Sequence, residues 1–333
     1  MFAQVPAYPG DPILSLLEAF QADSRAKRAN LSIGLYYDDD NSIPVLASVR
    51  EGAALVAAQG AAHTYLPMEG MAQYRQALQK VIFGKDSAAL REGRVATIQS
   101  VGGSGALRIG AEFLKTYFPG SGVWVSDPTW DNHQVLFAGA GLDVHTYPYY
   151  DAQTNGLKFG EMLETIDALA PRSIVLLQPC CHNPTGIDLS RAQWHELIVV
   201  LRSRELIPFI DMAYQGFGDG MDEDAWAIRE LVDAGLSFAV SNSFSKNFSL
   251  YGERCGGLSI VTLDCYPERR RSGAGAGSAE GDRTTHVLQP PSARRQTRVG
   301  HSQHTAFGGP VGDGSRLHAG THFADARIPQ ASA

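Results

Sequence analysis

The sequence predicts an α/β fold, a mostly parallel sheet covered by helices on both faces. Short apolar runs of strand length alternate with segments of helical spacing up to about Leu263. Those runs read as strands buried on both faces, the pattern of parallel sheets. The chain has 333 residues, 44% of them hydrophobic, enough for a sizeable core.

The elements follow in order. "PILSLLEAF" reads as a short amphipathic helix near the N-terminus, and "VLASVREGAALVAAQ" and "MAQYRQALQKVIFG" have helical spacing. Buried strands are expected at "VWVSD" (Val123–Asp127), "SIVLLQ" (Ser173–Gln178), "IPFIDMAY" (Ile207–Tyr214), "LSFAVSNS" (Leu236–Ser243) and "GGLSIV" (Gly256–Val261). Helical segments such as "RAQWHELIVVLRSR" lie between several of them. Ligands in such sheets sit beyond the carboxyl ends of the strands, which is where the unusual residues cluster.

A net charge of -7 argues against general nucleic-acid or membrane-surface binding. No apolar run reaches membrane-spanning length, and "MFAQVPAYPGDPIL" lacks the charged and apolar regions of a signal peptide. Of the four cysteines, Cys180 and Cys181 are adjacent, and neither they nor Cys255 and Cys265 form a CxxC. Reduced thiols in a cytoplasmic protein with no metal site are the expectation.

Five stretches carry candidate chemistry. Gly102, Gly103, Ser104 and Gly105 precede a helix; they form either a phosphate cradle at its N-terminus or only a turn. Trp130 and His133 sit in the polar loop "SDPTWDNH", where the indole either caps the core or faces a planar ligand. Asn183 precedes Pro184, which pushes it to an extended or turn conformation that either aims its amide into a cleft or closes an Asx turn. Asp211 lies within an apolar strand, three residues before Tyr214. A carboxylate there needs a cation, a protonated ring nitrogen or loop N–H groups. Lys246, in "SNSFSKNFSLYGER", is either a solvated loop residue or, if buried near cations, a neutral amine able to form a Schiff base. Ser243 and Arg254 flank it and could hold a phosphate. Taken together, these groups are what pyridoxal phosphate requires.

The strings "GGSGALR", "WVSDPTWDNH", "CCHNPTGIDL", "DMAYQGF" and "SNSFSKNFSLYGER" resemble the class I aminotransferases of fold type I, most closely the bacterial aspartate and aromatic-amino-acid enzymes. The similarity runs from Phe2 to about Val261. It implies a pyridoxal 5'-phosphate-dependent transamination of aspartate or aromatic amino acids with 2-oxoglutarate, by a ping-pong route in a homodimer. Lys246 would be the Schiff-base lysine. Asp211, supported by His133, would pair with the pyridinium nitrogen. Tyr214 and Asn183 would bind the phenolate oxygen, and Trp130 would stack on the ring. Gly103, Ser104, Ser243 and Arg254 would hold the phosphate. Gly34, together with Trp130 and Asn183, would lie near the substrate, and Tyr65 would reach the phosphate of the partner subunit.

The resemblance also divides the chain: an N-terminal arm and small-domain segment (1–45), the cofactor-binding large domain (46–264), and the remainder (265–333). Residues 265–333 carry nine Arg, no Lys and five acids, and no helical or strand period survives there. A one-base shift with permissible codons turns "GDRTTHVLQPPSARRQTRVGHSQHT" into "ETVRRTYSSPPAHGGKLVSVILNTP", which looks like the family's continuation. The expectation is a frameshift between about Thr262 and Arg271, a disordered out-of-frame tail, and a C-terminal small domain largely missing. The arginine that grips the substrate α-carboxylate would be lost with it. The alternative is then an inactive relative that at most binds the cofactor.

Overall fold

The structure is a computed structural model that describes residues 12–264 apart from 29, 31–33, 41, 62 and 63. The expected tail (265–333) lies outside the described residues. Along the chain run α1 (Pro12–Ala22), α2 (Ala47–Gln59), α3 (Ala72–Phe83), α4 (Ala88–Arg91), β1 (Val95–Val101), α5 (Gly102–Tyr117), β2 (Val123–Asp127), α6 (Asp131–Gly139) and β3 (Val144–Pro148). There follow β4 (Tyr150–Asp151), β5 (Gly156–Leu157), α7 (Phe159–Asp167), β6 (Ile174–Leu177), α8 (Arg191–Ser203), β7 (Ile207–Met212), α9 (Trp226–Asp233), β8 (Phe238–Ser243) and β9 (Cys255–Val261).

Seven strands form one sheet in the order β1-β9-β8-β7-β6-β2-β3. Neighbours from β8 to β3 are parallel, whereas β9 runs antiparallel to both β8 and β1. The mostly parallel sheet is therefore present, with one reversed strand inserted. β4 and β5 make a separate small hairpin.

Two cores cover the two faces. One packs Leu78 and Ile82 of α3, Trp194 and Leu197 of α8, and Ile228 and Leu231 of α9 against the sheet. The other is built on α5 and α6 through Leu107, Leu114 and Phe137. β8 is buried along its whole length, and its side chains alternate, Phe238 and Val240 entering the first core and Ala239 the second. α8 starts where Ser190 and Gln193 form a reciprocal capping box, a device worth about 1 kcal/mol. α5 lies close on β7 because Gly110 has no side chain: a Cβ there would stand 2.5 Å from Phe209 Cζ.

The expected strands are each found, trimmed by one or two residues at some ends. Two further strands, β1 and β3, join them. In β1 the polar side chains that interrupt an apolar pattern are satisfied internally: Thr97 Oγ1 lies 2.8 Å from Ser259 Oγ and accepts from Gln79 Nε2 at 2.9 Å. β3 is an edge strand, so His145 and Thr146 are tolerated on it.

Candidate active site

A cavity of about 350 Å³ opens at the carboxyl ends of the strands. Gly34, Gly103, Ser104, Trp130, Asn183, Asp211, Tyr214, Ser243, Lys246 and Arg254 all line it. They come from segments up to 220 residues apart in sequence, brought together because β1, β6, β7 and β8 end on one side of the sheet and β9 begins there. His133 stands behind Asp211, away from the cavity wall. Tyr65 does not line the cavity and is fully exposed.

At one end, β1 turns into α5 through Gly102, whose φ of +65° lies in the left-handed region that favours glycine. A Cβ on Gly102 would fall 2.7 Å from Arg254 Nη2, and one on Gly103 would fall 3.0 Å from Ser243 Cβ. Bare backbone is thus what lets the helix start, the guanidinium and the Ser243 hydroxyl approach one point. No side chain caps α5, which leaves its N-terminal dipole facing the cavity. Arg254 donates from Nη1 to Ser245 Oγ (3.3 Å) and to the Tyr251 carbonyl (3.2 Å), and its own carbonyl accepts from Gly102 N–H at 2.8 Å. This end is built to receive a small anion.

At the other end, Asp211 is the next-to-last residue of β7 and is buried. His133 Nε2 donates to its Oδ2 at 3.1 Å, and His133 Nδ1 lies 2.7 Å from Thr129 Oγ1. A carboxylate only accepts, so Asp211 makes Nε2 the donor, and the Thr129 hydroxyl, able to donate or accept, braces the other side of the ring. Trp130 meets His133 edge-on, with ring centroids 5.3 Å apart.

Between the two ends lies Lys246. Its Nζ sits over the Tyr214 ring, 4.9 Å from the centroid. Burial pushes the ammonium below the usual lysine range; Asp211 opposes this and Arg254 adds to it. The solvated-loop alternative for Lys246 does not describe this environment. Burial raises the Tyr214 hydroxyl, with Asp211, Cys181 and Tyr251 adding to it, while a hydrogen bond with Asn183 pulls the other way.

Sequence reasoning missed Gln178, Ser245 and Tyr251, which also line the cavity. Ser245 is buried one position before Lys246 and could have been found by its place in the strand-end run. Gln178 and Tyr251 give no such signal.

The fold and the cavity together define a fold type I transferase, an α/β enzyme that acts at the carboxyl edge of its sheet. Residues 26–274 match the family model "Aminotransferase class I and II". Over 265 residues the chain is 60% identical to the aromatic-amino-acid aminotransferase of Escherichia coli, covering 79% of this chain and 67% of that one. It is 51% identical over 262 residues to the aspartate aminotransferase of Pseudomonas aeruginosa, covering 79% and 66%. The structure of an aromatic-amino-acid aminotransferase from Burkholderia pseudomallei, covalently bound to pyridoxal phosphate, superposes with a TM-score of 0.80 at 45% identity, covering 91% of this chain and 71% of that one. The chain belongs to the class I and II aminotransferases, and it spans about two thirds of the length of these curated relatives. Pyridoxal 5'-phosphate is the cofactor of this family. The residues present suit it: an anion cradle that a Cβ at Gly102 would fill lies at one end, and a buried carboxylate lies at the other.

Proposed function

We propose that this protein transfers amino groups between aspartate or aromatic amino acids and 2-oxoglutarate, as a cytoplasmic homodimer. The observation that carries the reading is the position of Lys246: a half-buried amine held over Tyr214, with its charge disfavoured by burial, in the cavity that also holds the start of α5.

Each side chain has a task in this reading. Gly103, Ser104, Ser243 and Arg254 bind the cofactor phosphate. Trp130 covers one face of its ring. Asp211, oriented by His133, holds the positive charge of the ring nitrogen. Tyr214 and Asn183 donate to the ring oxygen. The pyridoxal group supplies the electron sink that makes the substrate Cα–H acidic. Lys246 would hold the group through its amine and, once the substrate's own amine takes its place, the freed lysine amine would accept the proton from the substrate Cα and hand it on. Gly34, at the rim of the cavity, faces the substrate. Tyr65 serves the partner subunit's phosphate site, which accords with its full exposure in one chain.

The dimer is supported by the apolar surface around α2. That helix has no buried residue among those described, and Leu55 and Val56 are each about two thirds exposed, with Leu66 and Met68 exposed nearby. Among the described residues no helix is long and apolar enough to cross a membrane.

The test is spectroscopic. The purified chain, mixed with pyridoxal phosphate, should develop a visible band that Lys246→Ala lacks. Adding aspartate or phenylalanine should remove the band, and 2-oxoglutarate should restore it. A chain with no band rejects cofactor binding. A band unmoved by amino acids supports the inactive relative. Sedimentation at micromolar concentration should show a dimer, and a persistent monomer would reject that part of the reading.

A further inference from the structure

We propose that Gln178 is a positioning residue whose amide grips the main chain of Asn183 and so sets where the Asn183 side chain meets Tyr214 and the cavity. The inference rests on the reading above, in which Asn183 and Tyr214 hold the cofactor's ring oxygen.

Gln178 directly follows the last residue of β6, so the sheet fixes its backbone. Its side chain turns back on the loop that follows. Asn183 N–H donates to Gln178 Oε1 at 2.9 Å, and Gln178 Nε2 donates to the Asn183 carbonyl at 3.1 Å. Two bonds of opposite sense form a closed ring between one side-chain amide and one residue's backbone. An amide flip would set like groups against each other at both contacts, so the orientation is unique. Other groups brace the neighbouring positions: Asp188 accepts from Cys181 N–H at 2.6 Å and His182 N–H at 2.8 Å, and the His182 carbonyl accepts from Gly186 N–H at 2.7 Å. Gln178 does the same for Asn183, whose side chain lines the cavity beside Tyr214. It lines the cavity too, yet both ends of its amide are committed to Asn183. Its effect on bound groups then runs through Asn183, and a double-mutant cycle separates this from a direct contact by the second amide N–H.

A double-mutant cycle tests this with pyridoxal phosphate bound to the full chain. The readout is the pH midpoint of the cofactor's visible band, not turnover. Losing a hydrogen bond to an ionised ring oxygen favours its protonation, so Asn183→Ala should raise the midpoint by about one pH unit. Gln178→Ala should raise it by a substantial part of that, and should add nothing in the Asn183→Ala background. Gln178→Met keeps the length of the side chain and adds no charge to the cavity wall, but offers no amide partner to the Asn183 backbone. It should shift with Gln178→Ala, and it keeps the test open if the alanine variant fails to fold. A wild-type midpoint in both Gln178 variants, or an equal shift with and without Asn183, overturns the proposal. Absence of the band in the wild type, or its survival in Lys246→Ala, instead rejects the cofactor reading itself.

Discussion

Acid should destabilise this protein in a window set by His182. The ring is 2% exposed and stacked on Tyr149, with centroids 3.9 Å apart and planes 19° apart. Its Nδ1 lies 2.8 Å from Thr185 Oγ1 and its Nε2 lies 2.8 Å from Ser126 Oγ. Burial, with help from His133, lowers the imidazole from 6.5 to about 4, against a weaker pull from its own backbone. The folded value lies below the unfolded one, so the unfolded chain binds more protons between them. The stabilisation is complete above about pH 6.5, shrinks as pH falls, and is gone below about pH 4. That gap corresponds to roughly 3 kcal/mol, a large share of a typical domain's stability. The assay is urea unfolding followed by tryptophan fluorescence at several pH values from 7.5 to 4, at one protein concentration, for the wild type and His182→Gln. The wild type should lose about 3 kcal/mol more than the variant across the window. Parallel pH dependences would refute the reasoning, whatever the variant's stability at neutral pH.

Three further outcomes are expected. Gly103→Ala would place a Cβ 3.0 Å from Ser243 Cβ. The phosphate end should distort and pyridoxal phosphate affinity should fall about tenfold by fluorescence titration. Asp211→Ala strips His133 of its carboxylate partner and leaves the ring nitrogen unpaired; kcat/KM should fall by about two to three orders of magnitude, the equivalent of roughly 3–4 kcal/mol. Gly110→Ala sets two effects against each other. Helix propensity favours alanine by about 0.5–1 kcal/mol, but overpacking costs about 1–3 kcal/mol. With Phe209 Cζ at 2.5 Å the clash should win, and the urea midpoint should drop.

How far the site could be read from sequence depended on what each residue must do. Asp211 was legible because a carboxylate in an apolar strand demands a partner, and the structure supplies His133 from 78 positions away. Lys246 was legible as a choice between two environments, and burial over Tyr214 decides it. Gln178 was not legible: it grips a main chain, and no spacing encodes which backbone a glutamine will reach. β1 was missed because its polar residues find partners on α3 and β9, a fact of tertiary packing. The reversal of β9 was equally hidden, since a buried strand reads the same in either direction.

That reversed strand has a consequence for how the protein matures. Lying between β8 and β1, β9 pairs Gly256 with both Ser243 and Ser100, and Cys255 with Val101. Arg254 immediately precedes Cys255 and so arrives at the anion cradle only if both ladders form in register. A slip of one residue would turn every β9 side chain to the opposite face and carry the guanidinium away. A cofactor that binds the finished cradle and not the slipped one adds its binding free energy to the correct pairing alone. Pyridoxal phosphate would then act as a proofreader of assembly as well as a reagent, and refolding with it present should raise the yield of correctly paired chains.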